Sequence, residues 1–333
     1  MRVLVTGPGG FLGGEITRQL IARGDQVVGV SRGDYPALAE LGVDYRRGDL
    51  SDREFTLRTV RDVDAVIHTA AIAGVWGPYE QFHRINTTAT QWVLEACHAS
   101  GIRTLVFTSS PSVTFNGEHQ RGVDESEPYP DRWLCAYPQT KALAEQAVLA
   151  AHKPGTLHTC SLRPHLIWGE DDPHLIARVL ERAKTGQLRI VGDGTNLIDT
   201  VHVVNAAGAH LDALDTLIKT PERCGGRAFF IAQDEPVNCW DWIRKICEAG
   251  GVPPPTRRIS FRTAYQIGGV LETAYRWLGK TSEPRMTRFV AAQLAKDHYF
   301  DISAAKSCFD YRIRVSMDEG FDRLQSSLGT SPS

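Results

Sequence analysis

Tyr137 and Lys141 stand four residues apart in Tyr137-Pro138-Gln139-Thr140-Lys141. On a helix, residues at that spacing share a face. A nearby ammonium favours phenolate and lowers a phenol's pKa. The tyrosine then becomes a usable proton donor or acceptor near neutral pH. Pro138 suits a first helical turn but restricts the residue before it, which puts Tyr137 at the helix boundary. Alone, the pair also reads as two surface residues. Upstream lies Thr108-Ser109-Ser110-Pro111-Ser112, closing a strand-like run. Ligands of open parallel sheets bind beyond the carboxyl ends of strands. A serine hydroxyl there can donate to a substrate carbonyl while Tyr137 protonates it, although each of these serines also reads as a turn former.

A second constellation serves a nucleotide. Gly7-Pro8-Gly9-Gly10-Phe11-Leu12-Gly13 follows a strand-like run and opens a helix-like one. Glycines spaced G-x-x-G-x-x-G allow a tight turn, close approach of backbone to a pyrophosphate, and close helix–strand packing. The helix N-terminus adds free N–H groups and partial positive charge. No Gly-Lys-Ser/Thr directly follows these glycines, so the alternative phosphate loop is excluded here. The next strand ends Val30-Ser31-Arg32, with the first acid at Asp34. An acidic residue at that place grips a ribose 2′-OH, whereas an arginine pairs with a 2′-phosphate. The reading is therefore NADP(H), with NAD(H) possible if Arg32 only stacks on the adenine.

Elements to position these groups are legible along the first half. Strand-like runs at Arg2–Thr6, Gln26–Val30, Asp44–Arg47, Asp64–His68, Thr104–Thr108 and Thr159–Arg163 alternate with helical spacing at 14–23, 80–99 and 137–151. Apolar strands alternating with helices imply a parallel sheet covered on both faces, doubly wound by right-handed crossovers. The expected fold class is α/β: a Rossmann doubly wound parallel sheet with a smaller mixed C-terminal domain. After Gly169 the pattern changes. Leu175–Lys184 reads as a helix, 186–198 as turns joining short strands, and Ala228–Ile231 as a strand returning to the main sheet. The expected division is a dinucleotide-binding unit at 1–168, joined by about 199–235. A substrate-binding unit comprises 169–198 and 236–325, and 326–333 is a frayed tail.

Composition bounds the function. The 333 residues carry 37 Lys+Arg against 39 Asp+Glu, a net charge of -2, with 42% hydrophobic residues. That is ordinary globular usage without the basic face that nucleic-acid binding needs. Seven scattered cysteines without a CxxC fit reduced thiols in the cytoplasm, not a disulfide framework or zinc site. No apolar run approaches the roughly 20 residues that span a bilayer. No cluster has metal-ligand spacing, so no metal is expected.

The motifs, in this order, resemble those of the extended short-chain dehydrogenase/reductases over about residues 1–325. Thr108–Val113, Leu162-Arg163-Pro164 with Trp168-Gly169, and Gly192–Asn196 followed by Val201–Asn205 resemble the 3β-hydroxysteroid dehydrogenase branch. Ala73–Gly77 and Phe82–Asn86 resemble bacterial 2-alkyl-3-oxoalkanoate reductases more closely still. The resemblance implies that Gly7, Gly10 and Gly13 cradle the pyrophosphate, with Phe11 and Leu12 at the helix start. Ser31 and Arg32 meet the adenosine ribose, with Arg32 on the 2′-phosphate. Asp49 and Leu50 flank the adenine, and Ala70 and Ala71 line the cleft. Asn86 orders the active-site helices, and Pro164 begins the stretch that meets the carboxamide. Ser110 polarises the substrate carbonyl, with Ser109 and Ser112 in reserve; Tyr137 is the acid or base, and Lys141 binds the nicotinamide ribose and tunes Tyr137. Pro111, directly after Ser110, departs from the family pattern. A homodimer through helices 80–99 and 137–151 is also implied.

Four residues are candidates for a substrate pocket: Trp76, Ser112, His165 and Trp168. His68 and His202 read as buried, hydrogen-bonded histidines. The apolar stretch 262–278, with basic flanks, reads as packing on the second unit, as a lid, or as a contact with a membrane surface or partner enzyme. The expected activity is NADP(H)-dependent interconversion of a bulky apolar 3-oxo and 3-hydroxy compound, best a 2-alkyl-3-oxoalkanoate. An NAD-dependent 3β-hydroxysteroid or 4-carboxysterol dehydrogenase is the alternative. A non-catalytic nucleotide sensor would have lost Tyr137 or Lys141. A nucleotide-sugar dehydratase would place acids beside the serine, where Pro111-Ser112 stands.

Overall fold

A computed structural model describes residues 1–329. Seven strands form the main sheet: β1 (Arg2–Thr6), β2 (Gln26–Ser31), β3 (Asp44–Arg47), β4 (Ala65–His68), β5 (Thr104–Thr108), β6 (His158–Pro164) and β7 (Ala228–Ile231). All pairings are parallel and the spatial order is 3-2-1-4-5-6-7. The order reverses between β1 and β4, which opens a crevice at the carboxyl ends of those strands. Alternate residues serve opposite faces. Val3 and Val5 pack in one core and Leu4 in the other.

Helix α1 (Phe11–Ala22) and helix α4 (Val203–Lys219) cover the first face, through Ile16, Leu20, Ala206 and Leu214. Helix α2 (Ala89–Ala99) and helix α3 (Ala136–Ala150) cover the second, through Val93, Ala96, Ala144 and Val148. A short turn at Tyr79–Phe82 and a π-helical turn at His83–Thr88 lead into α2.

A third core gathers Trp168, Ile176, Trp240, Trp242, Ile246, Ala264 and Leu324. Its small sheet is mixed, ordered Val237–Asn238, Leu197–Ile198, His298–Phe300, Gln120–Val123. Gln120–Val123 has no strand signature of its own and is a strand because His298–Phe300 pairs with it. Helix α5 (Phe261–Trp277) buries Ala264, Gly268 and Glu272 and leaves Ile267, Val270 and Trp277 exposed.

Two readings need adjustment. Ile302, Ala305, Phe309 and Tyr311, expected in the second unit, pack into the main-sheet core, because the chain returns there after His298–Phe300. Residues 326–329, expected to fray, continue the last helix, Met317–Gly329, while 330–333 lie outside the described residues. Among the described residues no helix is long and apolar enough to cross a membrane.

Candidate active site

β5 delivers the serines. Ser109 continues the sheet by donating its N–H to the Leu162 carbonyl at 2.6 Å. Ser110 is extended and caps the short helical turn Pro111–Thr114, accepting from the Ser112 N–H at 3.3 Å. Pro111 after Ser110 is therefore the first residue of that turn, where a missing N–H costs nothing. The hydroxyls of Ser110 and Ser112 lie 2.8 Å apart, and Ser110 stands close enough to the Tyr137 phenol to favour its ionised form. Ser109's hydroxyl is buried and without a partner.

Tyr137 and Lys141 lie on the first turns of α3, with Pro138 in its first turn. Lys141 is only 2% exposed. Its ammonium donates to the Thr108 carbonyl at 2.5 Å and sits 4.0 Å from the Phe107 ring centre. Burial pulls its pKa down to about 7, against the pull of the Glu145 carboxylate one turn on. Burial pushes the Tyr137 phenol above its ordinary value, and the nearby Ser110 hydroxyl only partly offsets this. The expectation that Lys141 lowers Tyr137 is thus not met in the chain by itself, because desolvation dominates both groups.

Asn86 ties the two helices together from within the π turn. Its amide accepts from the Ile72 N–H at 2.8 Å and donates to the Ile72 carbonyl at 3.1 Å and to the Thr140 hydroxyl at 3.2 Å. Thr87 donates to the Thr140 carbonyl at 2.9 Å. These bonds fix the turn of α3 that carries Lys141.

A cleft of about 450 Å³ runs from Gly7, Gly10 and Gly13 past Arg32 and Asp49 to Tyr137 and Lys141. Phe11, Leu12, Ser31, Leu50, Ala70 and Ala71 also line it. The glycines fit a dinucleotide. Gly7 has φ +72°, and a Cβ on Gly13 would lie 2.1 Å from the Gly7 carbonyl oxygen. Helix α1 begins at Gly10 with no side-chain cap and no acid in its first turn, leaving its N–H groups for an anion. Ser31's hydroxyl bonds Tyr45 at 2.8 Å. Asp49 is opposed by burial, yet donors on Ser51, with Arg32 and Arg84 nearby, hold its carboxyl below the usual range.

Six candidates are not among the lining residues: Ser110, Ser112, Trp76, Pro164, His165 and Trp168. Pro164 ends β6 paired with Ile231, and Ile167 lines the cleft in its place. His165 is buried and bonds His298 at 2.6 Å, with the Phe300 ring against it. Trp168 is fully buried, packed against His202, Trp242 and Phe321 as a centre of the third core. Chain direction turns at Leu166, with φ +42°, and carries both side chains away from the cleft. His68 is buried between the hydroxyls of Thr6 and Thr90, and burial lowers its pKa to about 3. Trp76 lies outside this cleft and walls a second cavity, while its indole N–H donates to the Lys280 carbonyl at 3.0 Å.

Sequence reading missed Tyr35, Thr69, Asp172 and His174 among the lining residues. Asp172 caps Leu175–Lys184 through the N–H groups of His174 and Ile176 at 2.8 and 3.0 Å. Its position ahead of a helical run was the available signal. Tyr35 has no such signal, since only the folded loop places its ring against Gly9 and Gly33.

Comparison with known proteins agrees with this geometry. Residues 4–262 match the 3-beta hydroxysteroid dehydrogenase/isomerase family model. The chain is 47% identical over 330 residues to a 2-alkyl-3-oxoalkanoate reductase of Shewanella oneidensis, covering 97% of this chain and 85% of that one. It is 32% identical over 331 residues to a mouse decarboxylating sterol-4-alpha-carboxylate 3-dehydrogenase, covering 97% and 90%. Among solved structures it resembles MoeE5 in complex with UDP-glucuronic acid and NAD, at 26% identity and a TM-score of 0.75, covering 98% of each chain. The chain belongs to the 3-beta hydroxysteroid dehydrogenase/isomerase family, within the extended short-chain dehydrogenase/reductases, and is an oxidoreductase that acts on CH–OH groups.

Proposed function

We propose that the protein reduces the ketone of a 2-alkyl-3-oxo acid with NADPH. The observation that carries this is that Tyr137 and Lys141 line one cleft with Gly7, Gly10 and Gly13, with Ser110 beside the Tyr137 phenol. The 47% identity to a reductase of that name supports the substrate class. A bound nicotinamide supplies hydride to the carbonyl carbon. The chain supplies the rest. Gly7, Gly10, Gly13 and the start of α1 hold the dinucleotide, and Arg32, with the first carboxylate only at Asp34, favours a 2′-phosphate.

Ser110 donates a hydrogen bond to the substrate oxygen. Tyr137 gives that oxygen its proton as negative charge develops, and its raised pKa keeps it protonated and ready to donate. Lys141, the buried ammonium nearest this turn, resupplies the proton. A second reading, oxidation of a 3-hydroxysterol with NAD, rests on the 32% identity to the sterol dehydrogenase. We also infer a homodimer through the outer faces of α2 and α3, where Leu143 stands 36% exposed. Seven unpaired cysteines support a cytoplasmic setting.

The test is turnover at 340 nm with NADPH and NADH on a long-chain 2-alkyl-3-oxo acid and a 3-oxosteroid, for wild type and Tyr137→Phe. NADPH-preferring reduction of the oxo acid, lost about 10²–10⁴-fold in Tyr137→Phe, is expected. Activity on the steroid alone with NADH preferred, or a Tyr137→Phe rate within about threefold of wild type, overturns it.

A further inference from the structure

A second cavity of about 290 Å³ lies on the other side of the α3 N-terminus from the dinucleotide cleft. Leu134, Cys135 and Ala136 line it, and the next residue, Tyr137, lines the cleft. The chain after β4 links the two in the same way: Ala73 faces the cleft, and Val75 and Trp76 face the cavity. The two spaces therefore flank the start of α3, the turn that carries Tyr137. A volume near 300 Å³ is at the small end for a ligand pocket, which suits part of a substrate.

The interior is apolar and electrically quiet. Val75, Trp76, Phe82, Leu134 and Tyr275 form its walls. Burial pushes the Cys135 thiol up to about 12, so it is neutral. The Glu272 carboxylate is taken by Arg288, through its N–H at 2.7 Å and its guanidinium at 2.8 and 2.9 Å. The cations at the rim lie over rings: Arg276 at 5.6 Å from Trp76 and Lys280 at 5.1 Å from Tyr275. Beyond the rim, α5 and the residue after it present Trp277 and Leu278, 93% and 65% exposed. Among the described residues that line the cavity, no other buried charge is left to meet a polar ligand.

We propose that this cavity receives one alkyl chain of the substrate, with Val75, Trp76, Phe82, Leu134 and Tyr275 setting its accepted length. The proposal rests on the 2-alkyl-3-oxo acid reading above. The chain enters beside Tyr137, passes between the 75–78 loop and α5, and ends against Trp277 and Leu278. The bond from Trp76 to the Lys280 carbonyl holds the two walls together.

The test uses 2-alkyl-3-hydroxy acids oxidised with NADP+, because the hydroxy acids do not decarboxylate. Two series lengthen the C2 branch and the C3 chain separately. In wild type, kcat/KM should climb along one series by about two- to fourfold per methylene, the worth of burying a CH₂, and then level off. Val75→Trp fills the cavity and should flatten that climb while leaving NADP+ binding unchanged. Trp76→Ala removes a wall and should flatten it without adding bulk, which decides the matter if Val75→Trp folds poorly. Wild-type slopes on both series in both variants overturn the subsite alone. A wild-type enzyme that oxidises none of these acids overturns the substrate reading, and the subsite with it.

Discussion

Two residues four apart, Tyr137 and Lys141, show how burial sets chemistry. The ammonium is enclosed against Phe107 and the Thr108 carbonyl, so its charged form is costly. Glu145, at the next helical turn, supplies compensating charge and is itself fully buried, paired to Arg163 at 2.7 Å and accepting from the Tyr129 hydroxyl at 2.8 Å. Removing one partner of such a pair leaves an uncompensated charge. Glu145→Gln should therefore cost about 3–5 kcal/mol in urea unfolding. The same change removes the group that holds the Lys141 pKa up, so the high-pH limb, the loss of turnover that follows deprotonation of Lys141, should move to lower pH. A purely structural role for Glu145 would lower stability and leave that limb in place.

The helices act as a positioning frame. α3 presents Lys141, Ala144, Glu145 and Val148 inward and Leu143 outward. The π turn before α2 inserts Asn86 between Ile72 and Thr140, so α2 and α3 are tied to each other and to the segment after β4. Exposed Leu143 on this paired surface supports the inferred dimer. Leu143→Glu should shift sedimentation from a dimer toward the 36.8 kDa monomer, with little change in unfolding of the monomer itself. A wild-type chain that sediments as the monomer overturns the dimer.

Across the molecule, buried histidines couple stability to pH. Burial lowers His68 to about 3, His210 and His298 to about 4, and His165 well below its ordinary value, where His298 adds to the effect. Unfolded histidine titrates near 6.5. The unfolded chain therefore takes up these protons first as pH falls, and the native state loses ground below about 6.5. Asp199, raised by burial to about 7, runs in the opposite sense over part of this range. Each excess proton changes stability by about 1.4 kcal/mol per pH unit. His298→Gln removes one such group, so its urea midpoint should fall less steeply than wild type between pH 6.5 and 4.5. Equal slopes would remove His298 from the account.

What the chain determines alone is what neighbouring residues carry. The glycine turn, the apolar strands and the Tyr137–Lys141 spacing are local patterns, so the Rossmann sheet and the cleft built on it were readable, as was the returning strand at Ala228–Ile231. Tertiary structure decided whatever depends on distant partners. Gln120–Val123 became a strand because residues nearly 180 positions later pair with it. His165 and Trp168 left the cleft because a turn at Leu166 aims them at His298, Trp242 and Phe321. The second cavity exists only where three segments, around 75–82, 134–136 and 272–281, meet. The shifts at Tyr137 and Lys141 likewise depend on desolvation, a property of the packed surroundings that no spacing of residues encodes.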